Sequence, residues 1–478
     1  MTRQAAALLL TLLAARTAAA YPTDGFERTQ IRRLSWQHAV DEGKARGRKL
    51  PPGARWASDR IELKLTGVPD LRLDASTPRD AKLEAGLRAL VSRVPFKSYN
   101  VVILDITDPA APRYAAVREN EALLPGSVAK LLIAAALYRE LRQRFPDSTA
   151  AREAFLRDTR VTADDWALPN VHEVPIVDGE SVVYRPVRAG DTFTLWEWLD
   201  HMLSASSNAA ASMVWREVTL MSLLGSEYPP ASRGPELWQR FDRATFSQAA
   251  FAAVDAPLLD VGIDPATFEL RLFFTKGAGK YVDSGATKVT PLALAQWLVA
   301  VEQGRMVDAY SSLELKRMLY LTRRRVRYAQ APELTDAAVF FKSGSFYQCA
   351  PEAGYECQAY AGNVVNVLNA LVEVEFPPPT APPATTAATP APAAAVGTSS
   401  TAAPATAVAA PSPDVVTPSP SPPGPAATGR AAPSATLPAP KPRALTYIVA
   451  VTSNELRHDS NNDHGLLASY VQQLLQHR

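Results

Sequence analysis

Apolar residues recur along this chain with two periods, and the switch between them outlines an architecture. Leu83, Leu87, Leu90, Val91 and Val94 fall at helical spacing behind Thr77-Pro78, a pair that reads as N-cap and first helical residue. Residues 99–106 are predicted to form a strand, 108–112 a turn and 113–117 the antiparallel partner. Residues 127–145 read as a helix whose first half is apolar nearly all round, the pattern of a buried helix. Thr194 to Glu197 forms a capping box, followed by Leu195, Trp198, Leu199, Met202 and Leu203 on one face. Thr290-Pro291 opens another helix, with Leu294, Trp297, Leu298 and Val301 inward and Gly304 ending it. The C-terminal third turns to strands, at 338–347, 364–376 and 444–453, and a last helix is predicted from Asp463.

The stretches between and before these elements have other characters. Residues 1–20 place Arg3 ahead of an apolar run and end in small residues, which predicts a signal peptide cleaved after Ala20 and a periplasmic or secreted protein with no membrane span after processing. Residues 21–76 are Arg-rich and irregular, with a strand expected only at 61–65. Residues 377–442 hold 19 of the chain's 40 prolines among Ala, Thr and Ser, a composition that cannot build a core and predicts disorder. The 36 residues after it are too few to bury a core alone, so the tail is expected to return to the same sheet across a long insertion. Cys349 and Cys357 flank a turn-like stretch and are expected to close a short loop in an oxidising compartment. Without Arg3 and Arg16 the mature chain carries 48 basic and 48 acidic residues, and the absence of a basic stripe argues against a nucleic-acid partner.

Three short motifs carry candidate chemistry. In Ser127-Val128-Ala129-Lys130 the three-residue spacing sets the amine beside the hydroxyl on one helix face. The apolar helix should desolvate Lys130 and favour its neutral, proton-accepting form, which a hydroxyl nucleophile needs. Ser206-Ser207-Asn208 falls in a break between two helices, where a hydroxyl can relay a proton and an amide can orient a peptide-like group. Lys342-Ser343-Gly344 lies on a strand, where Lys is out of place unless it faces a cleft or solvent, and Gly344 permits a close approach. Alone, each has a bland explanation: a capped helix, a polar junction, an edge-strand lysine.

In this order, and with these surroundings, the three motifs resemble those of the serine β-lactamase and penicillin-binding-protein superfamily, SxxK, SxN and K[ST]G, closest to the class A β-lactamase-like branch. The likeness covers residues 77–376 and 443–478. It implies an α/β (α+β) domain of the β-lactamase/transpeptidase type, in which strands from both chain ends form one sheet and a helical lobe is inserted between them. It also implies roles. Ser127 attacks an acyl carbonyl, Lys130 takes its proton and Ser206 passes it to the leaving nitrogen. Asn208 orients the substrate, Lys342 and Ser343 bind its carboxylate, Gly344 allows close approach, and the backbone N–H groups of Ser127 and Ser345 form the oxyanion hole.

Ser207 replaces the Asp usual in class A enzymes, and Ser343 the commoner Thr. The glutamate that activates the deacylating water in that class has no clear counterpart: 234–238 and 269–272 both fail to supply it at the right place. Fast β-lactam hydrolysis is therefore not expected, whereas acylation is. No G-x-S-x-G elbow occurs, and no histidine falls in a recognisable arrangement with a nucleophile. Asp459 to Gly465 echoes a calcium loop, but its Gly comes one place late and Tyr470 stands where a bidentate Glu is required, so no metal and no other cofactor is expected and Asp463 reads as a helix cap. The expected function is an exported serine acyl-transfer hydrolase acting on a D-Ala-D-Ala-type peptidoglycan stem peptide or a β-lactam. The alternative is a non-hydrolytic envelope protein that keeps the cleft for binding.

Overall fold

The computed structural model describes residues 25–178, 181–322, 325–377 and 444–476. The expected leader at 1–20 lies outside these residues, as does the expected disordered insertion at 377–442 apart from its first residue. Five antiparallel strands form the main sheet, in the spatial order Arg113–Val117, Asn100–Asp105, Thr446–Asn454, Val365–Glu375, Ala338–Gln348. The middle position thus goes to the last strand in sequence, with Val101 opposite Val451 on one side and Val372 opposite Val449 on the other.

Strand periodicity divides this sheet's side chains between two cores. Val101, Ile103, Val449 and Val451 face the terminal helices Ala81–Val91 and Asn461–Gln476, whose Leu83, Leu87, Leu90, Leu467, Val471 and Leu475 complete one apolar cluster. The alternate residues Val102, Leu104, Ile448 and Ala450 face the other way, into a larger cluster built with the inserted helices. That cluster includes Lys130–Arg144, Leu195–Leu203, Asn208–Leu224, Arg243–Asp260 and Pro291–Glu302. Among the described residues, no helix is long and apolar enough to cross a membrane.

Several boundaries differ from those expected of the sequence. The first sheet-packing helix starts at Ala81, capped by the Asp80 side chain on Leu83 N; Thr77 is spent instead on a hydrogen bond from Asp74 N. The last helix begins at Asn461, so Asp463 sits inside its first turn and bonds His458 rather than capping. The Arg-rich segment before residue 76 is not irregular throughout, since it forms the helix Arg32–Asp41 with Arg33, Leu34 and Val40 buried. No strand forms at 61–65; Leu65 N bonds Glu302 O instead, and Ile61 and Leu65 are buried without a ladder. Cys349 and Cys357 form a disulfide in the loop between the two strands at the sheet edge.

One buried ionic cluster ties the sheet to the helices. The Lys316 ammonium lies 2.8 Å from Glu302, 2.9 Å from Glu373 and 2.6 Å from Glu375, and donates to Glu62 O at 2.8 Å. All four side chains are buried. Burial, then the neighbouring Glu302, holds the Glu373 carboxyl well above the ordinary carboxylate range, which relieves part of the repulsion among three acids around one cation. Replacing Lys316 by Met should leave buried carboxylates unpaired and cost about 3–5 kcal/mol of stability in urea unfolding at pH 7. A loss below about 1 kcal/mol would show that the acids simply take up protons.

Candidate active site

The nucleophile candidate stands where helix and sheet nearly collide. Gly126 is left-handed (φ 53°), and a Cβ placed on it would lie 2.5 Å from Ser345 N. A Cβ on Gly344 would lie 2.2 Å from Pro125 O and 2.8 Å from Ser127 N, so neither position admits a side chain. The two glycines bring the backbones of Ser127 and Ser345 together. Asn369, opposite Gly344 on the neighbouring strand, anchors the loop by donating to Leu124 O at 2.7 Å and Pro125 O at 3.0 Å. Ser127 itself lies in a single 3-10 turn, Gly126–Ala129, and the α-helix proper begins at Lys130.

Lys130 is fully buried, and three oxygens surround its amine. It donates to Ser206 O at 2.7 Å and to Asn208 Oδ1 at 2.8 Å, and it lies 2.9 Å from Ser127 Oγ. The Phe274 ring centroid is 4.8 Å from the same nitrogen. Burial, and after it the charge of Lys342, pushes the Lys130 pKa well below that of an ordinary lysine. Two of its neighbours are pure acceptors. A neutral amine can give one N–H to each and keep its lone pair for the Ser127 hydroxyl.

Ser206 occupies the turn between Leu195–Leu203 and Asn208–Leu224, with left-handed backbone (φ 59°), an uncommon conformation for a residue with a side chain. Ser207, in the place of the usual Asp, caps the second helix by accepting from Ala210 N at 3.2 Å. Asn208 is the first residue of that helix and stands behind Lys130. Lys342 is buried rather than presented to solvent as an edge-strand guard; it donates to Ser206 Oγ at 2.9 Å and to Ser343 O at 2.7 Å. Burial, then the Arg327 charge, lowers its pKa to about 7.

Ser127, Ser206, Lys342, Ser343, Gly344 and Ser345 share one cleft of about 410 Å³. The structure therefore gathers all three motifs. It adds residues that the motifs do not reveal. Arg327, with left-handed backbone (φ 54°), donates to Gly344 O at 2.8 Å and to Asn461 Oδ1 at 2.9 Å, and the Tyr360 ring covers its guanidinium at 5.5 Å. His172 also lines the cleft, a residue that none of the three motifs marks. Burial, then the charges of Lys130 and Lys342, lowers its pKa to about 4, so its imidazole is neutral at physiological pH. Among the described lining residues Glu173 is the single carboxylate, and Lys342 and Arg327 are the cations. Phe274 follows five residues after Glu269 and two after the 269–272 stretch that supplies no deacylating acid. Residues 234–238 lie elsewhere, with Trp238 packed on Trp166 and Tyr281.

The profile of the β-lactamase enzyme family (Beta-lactamase2) matches residues 82–355. Among solved structures, PBP-A is similar at 11% identity and a TM-score of 0.44, over 84% of this chain and 98% of that one. TLA-3 extended-spectrum β-lactamase is similar at 12% identity and a TM-score of 0.46, over 83% and 98%. A class A β-lactamase from Bacteroides cellulosilyticus DSM 14838 is similar at 13% identity and a TM-score of 0.45, over 83% and 96%. No curated protein sequence matches. With its motifs gathered in one cleft and more than half of its length matched, the chain belongs to the β-lactamase enzyme family, as a serine hydrolase of the β-lactamase type.

Proposed function

We propose that this protein is an exported acyl-transfer enzyme that forms an ester between Ser127 and a D-Ala-D-Ala-type stem peptide or a β-lactam, and that releases the acyl group slowly. The observation that carries this reading is the buried Lys130 amine, 2.9 Å from Ser127 Oγ and turned to it by two acceptors. Neutral Lys130 takes the hydroxyl proton as Ser127 Oγ bonds to the carbonyl carbon. The N–H groups of Ser127 and Ser345 receive the oxyanion. As the C–N bond breaks, Ser206 delivers a proton to the leaving nitrogen and is resupplied from Lys130, with its hydroxyl held by Lys342. Lys342 and Ser343, with Arg327 behind them, supply the positive potential for the substrate carboxylate, and Asn208 holds Lys130 while orienting the substrate amide.

Slow release follows from the far side of Lys130. A deacylating water needs a base, and a positioned one is worth roughly 10²–10⁴-fold. Here the aromatic ring of Phe274 fills the space against the amine. The protein would then hold its acyl group rather than consume a β-lactam efficiently.

Intact mass after incubation with a penicillin should show a persistent single adduct on the wild type and none on Ser127→Ala. An unlabelled wild type would favour a protein that only binds in the cleft. Phe274→Glu should shorten the adduct lifetime by about 10²-fold, read by the decay of the labelled mass. The second-order acylation constant reports the free enzyme, so it should fall as pH rises through about 7, where Lys342 loses the charge that attracts the carboxylate. Lys342→Arg, which stays charged, should move that falling limb beyond pH 9; a limb that stays in place would assign it to another group.

A further inference from the structure

The segment before residue 76 carries none of the motifs, yet three of its arginines bind acids on the helices behind the cleft. Arg28 reaches Glu314 at 2.8 and 2.9 Å and Glu153 at 3.0 Å. Arg32 reaches Glu197 at 2.6 and 3.2 Å. Arg33 is buried, with Nε and Nη2 each 2.5 Å from an oxygen of the fully buried Asp200, and Nη2 donates in addition to Leu321 O at 2.9 Å.

What Arg33 touches sets it apart. Asp200 belongs to the helix Leu195–Leu203, which leads into Ser206. Its carbonyl accepts Ser204 N–H at 2.7 Å, and the next carbonyl, of His201, accepts Ser207 N–H at 2.9 Å. These bonds shape the left-handed turn at Ser206. Leu321 follows the helix Ala309–Tyr320, and the next residue, Thr322, lines the cleft and donates to Phe341 O at 2.8 Å, one residue before Lys342. One guanidinium therefore grips, from behind, the backbone that carries Ser206 and the backbone that abuts Lys342. A planar fork can serve a carboxylate through two N–H groups and a carbonyl at the same time; a lysine cannot reproduce that geometry.

We propose that Arg33 is a positioning residue that fixes Ser206 against Lys342 and so keeps Lys130 shut in behind Ser206. The proposal rests on acyl transfer at Ser127, although Arg33 touches no reacting atom. Losing the grip lets the two walls part, water reaches Lys130, and its amine returns toward ordinary lysine basicity. The charged group facing Lys130 is Lys342, with the neutral His172 imidazole on the same cleft.

The test compares Arg33→Met with Arg32→Met, which removes an arginine from the same segment and the same partner helix but from one wall only. Two quantities are read: the rate of penicillin labelling at Ser127, and the titration of the Lys130 amine, followed without substrate by NMR on ¹⁵N-lysine-labelled protein. R33M should label about tenfold more slowly or worse, and Lys130 should titrate at higher pH. R32M should match the wild type in both, and Arg33→Lys, which keeps one arm, should fall between. A folded R33M that labels and titrates like the wild type overturns the proposal, as does an equal loss in R32M, which would mean general loosening. If R33M does not fold, R33K decides: a Lys130 titration identical to the wild type overturns it. A wild type that never labels refutes acyl transfer, while the NMR comparison still decides the role of Arg33.

Discussion

An amine without solvent governs the design of this cleft. Water would keep Lys130 charged at neutral pH; burial removes that stabilisation, and the nearby Lys342 charge adds to the bias towards the neutral amine that the proposed role requires. The cost of burying an amine is limited because its polar hydrogens have partners, Ser206 O and Asn208 Oδ1. Each surrounding oddity serves the same enclosure. The left-handed Ser206 turns its carbonyl to the amine, Phe274 covers one side, and the apolar helix from Lys130 onward seats the residue in the larger core.

The enclosure depends in turn on how closely the edge strand can approach the nucleophile turn. Gly344 and Gly126 are the two places where a side chain would strike opposing backbone, and Asn369 ties that loop to the neighbouring strand. The disulfide loop and the following chain then bring Tyr360 over Arg327, whose guanidinium fastens Gly344 O to the start of the last helix through Asn461. Strand, nucleophile turn and terminal helix are thus held at one corner of the sheet.

Much of this was legible in the sequence because it rests on local periodicity. The strand expected at 99–106 forms over Asn100–Asp105, where its continuous apolar run is buried on both faces, the capping box at Thr194 and Glu197 forms as read, and the three motifs meet. What escaped depends on contacts distant in sequence. Arg327 and Phe274 are an arginine and a phenylalanine with no local mark, and only the fold sets one behind Gly344 and the other against Lys130. Arg33 looks like one more exposed cation in a basic stretch, since its partner Asp200 lies far along the chain. Thr77 was a reasonable cap by composition, but Asp80, also held by Arg113, won the position.

Among the described residues, the strand in the middle of the sheet is the last in sequence. Until Thr446–Asn454 arrives, the pair Asn100–Asp105 and Arg113–Val117 and the pair Ala338–Gln348 and Val365–Glu375 have no common edge, and two faces of apolar side chains have no continuous surface to cover. Non-local pairing of this kind delays assembly, because the chain must close a long loop before any ladder bond repays it. A growing chain therefore carries Ser127 and Lys130 long before Thr446–Asn454 can join the Lys342 strand pair to the rest of the sheet. The sheet wall beside the proposed nucleophile is thus completed by a strand that lies more than 300 residues after Ser127, so the topology separates the making of that residue from the closing of its cleft.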